Sequence, residues 1–459
     1  MNINTVRAVY LVGAGGIGMS ALARYFLSKG IRTGGYDRMP SELTEQLTAE
    51  GADIHYTDNV ALIADEFRHP EQTLVVYTPA VPETHDELRF FRTNGFDVLK
   101  RSQALGLIAK SARGLCIAGT HGKTTTSAMT AHLLKQSHVD CNAFLGGILK
   151  NCGSNLMLSA TSDLTVIEAD EYDRSFHQLS PFMAVITSVD PDHLDIYGTP
   201  EAYRESFEIF TSLVCPGGTL IVKSGIDITP RLQPDVRLYT YSGSDRKADF
   251  HAHNIRIGNG EIIFDFAAPS VEISDIRLGV PVTVNIENAV AAMTLACLNG
   301  VAPDEIRNGM QSFAGVSRRF DFRLKTSDIV FIDDYAHHPE EISHCIRSVR
   351  ALYPGRKITG IFQPHLYSRT RDFVAGFAES LSLLDELILL EIYPAREEPI
   401  PGITAQIIFD RVTVPEKTLC SKEQLPGIIA SGRYEVALTI GAGDIDRLVE
   451  PIKQILERK

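Results

Sequence analysis

The sequence predicts an α/β protein of three domains, each built around a mostly parallel sheet with crossover helices. Three observations predict it. The chain has 459 residues, too many for one compact core and about right for three. Short β-rich runs alternate with helical ones, which is the pattern of strands joined by crossover helices. That alternation starts afresh twice, near residue 110 and again near residue 315.

Composition narrows the class. With 44% hydrophobic and 22% charged residues, neither disorder nor a fibrous repeat is indicated. Lys and Arg total 44 against 57 Asp and Glu, a net charge of -13 that disfavours nucleic acid as a partner. An anionic substrate must then be held by local devices. No apolar run is long enough to span a bilayer, and MNINTVRAVYLVGAGG runs straight into a strand without a cleavable signal. The expectation is a cytoplasmic enzyme with no membrane partner. Seven cysteines without paired spacing form neither a disulfide framework nor a zinc pattern, and all are expected to be small buried hydrophobes.

The first domain, residues 1–108, reads as RAVYLV, a helix IGMSALARYFLSKG, then IRTGGYD and later TLVVYTPA. This is a Rossmann-like succession. Between its first strand and helix lies Gly13-Ala14-Gly15-Gly16-Ile17-Gly18, with Asp37 closing the second strand. Such a turn offers backbone N–H groups to a diphosphate, and by itself suits NAD as readily as any other nucleotide.

The second domain, residues 109–314, is an α/β unit of the P-loop ATPase-like kind. The strand LCIAG opens directly into Gly119-Thr120-His121-Gly122-Lys123-Thr124-Thr125-Thr126 at a helix start. Glycines let backbone N–H groups face phosphate oxygens, Lys123 adds positive charge, and the hydroxyl after it can ligate magnesium. The general phosphate loop would carry glycine at position 117, where this chain has Ile117. Two further buried strands end in polar residues: LTVIEAD delivers Glu168, Asp170 and Glu171, and MAVITSVD leads to His193 in DPDHLD. Asp170 and Glu171 suit capping of the following turn as well as metal binding. From Gly217 to Leu278 the sequence is β-rich, with a hairpin expected in IRIGNGEIIFDF around Asn259-Gly260. The helix ENAVAAMTLACLNG follows and should end at Gly300. The third domain, residues 315–459, is again Rossmann-like: IVFIDD, a helix from Pro339, KITGIF, a helix after Arg371, ELILLEI, and VALTIGAGD before a last helix.

Several of these motifs together resemble the Mur ligase family. GTHGKTTT is similar to the phosphate loop of the Mur ligase and folylpolyglutamate synthetase group, and GAGGIGMSALA to the UDP-binding opening of alanine-adding members. Tyr77-Thr78-Pro79-Ala80, Lys100-Arg101-Ser102, Arg318-Arg319-Phe320-Asp321, the run from Asp333 to Pro339, the run from Gln363 to Arg371, YPAREEPIPG and TIGAGDID resemble that branch in the same order. The resemblance implies a UDP-sugar held by Gly13, Gly15, Gly16, Ile17, Gly18, Asp37, Thr78 and Ser102. It implies ATP held by Gly119, Thr120, His121, Gly122, Lys123, Thr124, Thr125, Asn285, Arg319 and Asp334, and Mg2+ (or Mn2+) held by Thr124, Glu168 and His193. Lys123, His365 and Arg369 would be catalytic. The implied reaction is ATP-dependent joining of L-alanine to the lactyl carboxylate of UDP-N-acetylmuramate through an acyl phosphate.

Three positions depart from the family pattern. Val284 stands where histidine is usual in the element VNIEN, Leu366 where arginine is frequent, and Tyr203-Arg204-Glu205-Ser206-Phe207 contains no lysine where relatives carry a carbamylated one. Asn285 is also a reasonable N-cap for the helix that follows. The rival readings are a ligase that attaches a whole tripeptide to the same UDP-sugar, a nucleotide-binding protein without ligase activity, and an NAD-dependent oxidoreductase. Monomer and dimer are both open.

Overall fold

The computed structural model describes residues 6–110, 112–258, 260–395 and 397–459. They form three sheets in two compact units. One unit comprises residues 1–253, 265–276 and 287–313; the other comprises residues 254–264, 277–286 and 314–459.

The first sheet contains β1 (Ala8–Val12), β2 (Arg32–Tyr36), β3 (Asp53–His55), β4 (Thr73–Tyr77) and β5 (Asp97–Lys100), all parallel in the order β3-β2-β1-β4-β5. Side chains alternate along β1. Val9 and Leu11 enter one core while Ala8, Tyr10 and Val12 enter another on the opposite face, so both faces are buried as a parallel sheet requires. The strand order reverses between β1 and β4, and a crevice opens beyond the carboxyl ends of strands at such a switch. The glycine-rich turn leaves β1 and Thr78 leaves β4, so this topology delivers both to the same crevice.

The second sheet contains β6 (Arg113–Ala118), β7 (Asn142–Leu149), β8 (Ser154–Met157), β9 (Leu164–Glu168), β10 (Pro181–Ile186), β11 (Thr219–Lys223), β12 (Arg237–Ser242), β13 (Phe250–Gly258), β14 (Glu261–Ala268) and β15 (Val271–Arg277). Its order is β15-β14-β13-β12-β11-β10-β6-β9-β7-β8. The β-rich stretch expected after Gly217 therefore continues the same sheet. β13 and β14 are neighbours, as a hairpin would make them, although Asn259 lies outside the described residues. β6 is parallel to β9 on one side and β10 on the other, which brings the loops after these three strands together. One apolar core, including Leu11, Phe26, Ile167, Phe176, Phe207 and Leu220, runs from the first sheet into the second.

The third sheet contains β16 (Asp321–Lys325), β17 (Val330–Asp334), β18 (Ile358–Phe362), β19 (Glu386–Leu390), β20 (Glu416–Cys420) and β21 (Val436–Ile440), ordered β16-β17-β21-β18-β19-β20 with only β16 antiparallel. It has its own core, with Phe331, Ile361, Ile388, Leu425 and Ile452.

The helix expected after Arg371 is Val374–Leu381, and an additional short helix, Tyr367–Asp372, which carries Arg369 and Arg371, precedes it. The helix expected from Glu287 begins at Val284, which puts Asn285 in its first turn and not at its cap. Of the seven cysteines, Cys116, Cys141, Cys345 and Cys420 are buried, but Cys152 is exposed and Cys215 and Cys297 are partly exposed, so not all behave as core residues. Among the described residues no helix is long and apolar enough to cross a membrane.

Candidate active site

The glycine-rich turn is shaped by backbone contacts with the second strand. Gly13 and Ala14 donate to the Tyr36 carbonyl at 2.8 and 2.9 Å, and the Gly15 N–H donates to Asp37 Oδ2 at 2.6 Å. One oxygen of Asp37 thus holds the turn itself. Gly16 sits at the N-cap of the helix Ile17–Ser28, whose first N–H groups have no partner within the helix. They border a cavity of about 220 Å³ lined by Gly16, Ile17, Gly18 and Thr78 from the first sheet and Gly146, Glu168 and Asp170 from the second, with Arg101 between them. Lining from both sheets is compatible with a ligand that reaches from one to the other.

Of the motif Lys100-Arg101-Ser102, the resemblance points to Ser102, but it is Arg101 that lines the cavity. Ser102 is buried and is not among the cavity's lining residues. Arg101 donates through Nη2 to Asp170 Oδ2 at 3.1 Å and lies against Gly18, where a Cβ would come within 2.8 Å of its Nη1. Beside it, Lys100 pairs with Asp173 at 2.5 Å. Two adjacent cations where a strand passes into a helix are the available signal.

The second loop joins β6 to the helix Lys123–Lys135. Gly119 and Gly122 have φ of +140° and +83°, conformations that favour glycine. The loop is tied to the chain after β10: His121 N–H donates to Ser188 Oγ at 2.8 Å, Thr120 Oγ1 to the Asp190 carbonyl at 2.7 Å, and Thr187 Oγ1 to the His121 carbonyl at 2.5 Å. The Lys123 ammonium donates to the Gly119 carbonyl at 2.6 Å and pairs with Glu171 at 2.7 Å. Burial raises Glu171 above the usual carboxylate range against the pull of Lys123. Asn288, the last residue of VNIEN and part of the helix Val284–Leu298, accepts from Thr126 Oγ1 at 3.3 Å and lies beside Gly122. Asn285 donates to the Val280 carbonyl at 3.1 Å. Thr125 follows in the first turn of the Lys123–Lys135 helix.

Of the three expected metal ligands, two meet. Thr124 Oγ1 donates to Glu168 Oε1 at 3.0 Å, and the other Glu168 oxygen accepts from Gly146 N–H at 3.1 Å. His193 is held in its loop, its N–H on Asp192 Oδ1 at 2.7 Å and its ring 5.1 Å from that of Tyr172. Asp170 caps its turn, accepting from Tyr172 N–H at 3.0 Å, while pairing with Arg101. Arg204, in the stretch without the family lysine, pairs with Asp227 at 2.6 Å. Among the described residues no three His, Cys, Asp or Glu side chains gather as a ready-made metal cage.

The third sheet assembles a separate cluster. Asp334, closing β17, accepts from the N–H groups of Phe320 at 2.7 Å and Ala336 at 2.8 Å, and burial pushes its carboxyl up to about 6 despite nearby Arg319. Arg319 lies over the Tyr335 ring at 5.4 Å. His337, which the motif reading did not select, is held below its usual pKa, first by burial and also by the Arg369 and Arg319 guanidiniums, while Glu341 opposes the shift. The His365 ring stacks on Tyr393 at 5.8 Å and lies 6.3 Å from His337. Leu366 has φ of +70°, and its N–H donates to the Tyr393 carbonyl at 3.0 Å. This cluster gathers Arg319, His337, His365 and Arg369, a set able to hold a carboxylate and take a proton.

Three family descriptions match the chain in order. Residues 8–113 match the Mur ligase family catalytic domain, residues 117–296 the Mur ligase middle domain, and residues 318–436 the Mur ligase glutamate ligase domain. The chain belongs to the Mur ligase family, and is therefore an enzyme of the ligase class with a three-domain α/β fold. It is 69% identical to the UDP-N-acetylmuramate--L-alanine ligase of Parabacteroides distasonis, over 99% of this chain and 98% of that one. It is 61% identical to the protein of the same name from Phocaeicola vulgatus, over the full length of both. Among solved structures, the UDP-N-acetylmuramate-alanine ligase of Thermotoga maritima aligns with a TM-score of 0.82 at 27% identity, over 98% of each chain. The murein peptide ligase of Psychrobacter arcticus shares the fold, at TM-score 0.69 and 19% identity over 99% of each chain. The ligase reading thus stands over the oxidoreductase and the non-ligating protein.

Proposed function

We propose that this ligase joins L-alanine to the lactyl carboxylate of UDP-N-acetylmuramate with cleavage of ATP to ADP and phosphate, in the cytoplasmic synthesis of peptidoglycan precursors. The observation that carries the reading is the cavity in which the first glycine turn faces Glu168, itself bonded to Thr124 of the second loop. A sugar acid whose diphosphate rests on Gly15–Gly18 reaches from there toward a triphosphate on the loop Gly119–Thr125. The names carried by the relatives at 69% and 61% identity agree with it.

A carboxylate is a poor electrophile, so the reaction needs activation before an amine attacks. In the proposed sequence a lactyl carboxylate oxygen attacks the γ-phosphorus, the bond to the β-phosphate oxygen breaks, and ADP leaves. Lys123 moves from Glu171 to the transferring phosphoryl group and offsets its charge, and the loop N–H groups orient it. Thr124 Oγ1 and the Glu168 carboxylate, 3.0 Å apart, are the hard oxygen donors that a magnesium ion takes, and they fit one. Bound there with ATP, with His193 assigned by resemblance, the ion would neutralise phosphate charge. Arg101 faces the same cavity and suits the substrate's negative charge. The neutral amine of alanine then attacks the acyl carbon, the bond to phosphate oxygen breaks, and the amide remains. Arg369 orients the alanine carboxylate. His365 takes the amine proton, aided by His337, whose burial disfavours the charged imidazolium.

Phosphate release with UDP-N-acetylmuramate and ATP, comparing L-alanine, other amino acids and the tripeptide, tests the reading. Alanine-dependent release is expected. Release that requires the tripeptide, or none with any amine, would reject it.

A further inference from the structure

Outside the residues so far assigned, one fully buried amide joins the first glycine turn to the second sheet. Asn155, in β8, is 0% exposed. Its Nδ2 donates to the Ile17 carbonyl at 2.6 Å and to Ser20 Oγ at 3.0 Å, and its Oδ1 accepts from Arg24 Nη1 at 2.6 Å. Arg24 is fixed in turn, with Nε 3.0 Å from both Glu50 oxygens and Nη2 2.9 Å from Gln46 Oε1. Three of the amide's hydrogen bonds therefore reach the first helix, and one of its partners carries charge, which makes the contact both strong and directional.

The peptide between Ile17 and Gly18 is planar and trans, so its C=O and N–H point in opposite directions. An acceptor direction set at Ile17 sets the donor direction at Gly18, and Gly18 lines the cavity. β8 pairs antiparallel with β7, whose Gly146 N–H holds Glu168 at 3.1 Å. The same hairpin thus touches the turn through Asn155 and Glu168 through Gly146. We infer that Asn155 is a positioning residue for the UDP-sugar: it aims the Gly18 N–H at the diphosphate and sets the distance from that turn to Glu168. The inference rests on the substrate reading above.

Asn155→Asp is the sharpest variant, because it retains the acceptor for Arg24 and replaces the donors to Ile17 with lone pairs. Calorimetric titration with UDP-N-acetylmuramate should show Kd raised about tenfold or more in Asn155→Asp and Asn155→Ala. The KM for this substrate should rise likewise, with KM for ATP changed by less than about twofold. A merely structural role would lower the active fraction and leave both constants alone. Should the Asn155 variants not fold, Arg24→Gln removes only the hold on the amide oxygen, and about a threefold rise in Kd is expected. An unchanged Kd in whichever variants fold overturns the inference. If the unaltered protein itself fails to bind UDP-N-acetylmuramate, the substrate reading falls, and this inference with it.

Discussion

Lys123 and Glu171 show how one residue can serve two partners. A buried lysine–carboxylate pair at 2.7 Å is stable only while both charges are matched, so a triphosphate that draws Lys123 away leaves a carboxylate that burial already disfavours. Lys123→Ala is expected to lose ADP formation by about a thousandfold in kcat, and Lys123→Arg not to restore it, because a planar guanidinium does not occupy the place of a compact ammonium. An ADP-coupled assay measures both. Glu168→Gln retains the Thr124 contact but removes the charge that a cation needs. About tenfold more magnesium should be required for half-maximal phosphate release, and a chelator should abolish release from the unaltered enzyme until the ion is returned. At this scale the sequence was informative wherever chemistry resides in a motif. For Arg101 it offered only a motif shared with Lys100 and Ser102, and for Asn155 nothing, because the importance of both comes from what the fold sets beside them.

Elements place these residues by register and by backbone conformation. Gly122 caps the Lys123–Lys135 helix at φ +83°, and a Cβ there would lie 2.6 Å from Asn288 Oδ1. Gly122→Ala should therefore cost about 1 kcal/mol of stability and raise the KM for ATP, read by urea unfolding and steady-state kinetics. On the first sheet, β1 presents Tyr10 to Glu87, whose carboxylate lies wholly buried, 2.7 Å from the phenol oxygen. Burial pushes the Glu87 carboxyl up to about 7 from an ordinary 4.5, against the pull of that hydrogen bond. Between those values the folded chain keeps a proton that the unfolded chain releases, so this group's contribution to stability falls as pH rises from about 4.5 to about 7 and is flat outside that window. Glu87→Gln should remove that slope, gaining about 1–2 kcal/mol on the unaltered protein between pH 5 and pH 8. Parallel unfolding curves for the two proteins across that range would contradict it. Element identities were legible because β-rich runs and helical periods alternate cleanly. The extra helix Tyr367–Asp372 was not, since six polar and aromatic residues carry too little periodicity to declare it.

In the whole molecule, the candidate site residues fall into clusters that belong to different compact units. The turn Gly13–Gly18, Arg101 and Glu168 belong to the first unit, whereas Arg319, Asp334, His337 and Arg369 belong to the second. UDP-N-acetylmuramate alone should therefore slow amide hydrogen exchange at residues 13–18, 101–105 and 144–146 and leave the third sheet unaltered; exchange mass spectrometry reads this directly. Protection confined to the third sheet would move the sugar site. The net charge of -13 and the two glycine turns were open to the sequence alone, because charge is additive and a phosphate loop is a local backbone device. So were the three α/β repeats, since hydrophobic period is a property of consecutive residues. The tertiary structure decided which neighbours those devices acquire: that Arg101 rather than Ser102 lines the cavity, that Glu171 holds Lys123, and that Asn155 grips Ile17 across a sequence separation of 138. Contacts of that range depend on strand order and core packing, which bring distant segments together and leave no periodic trace in the chain.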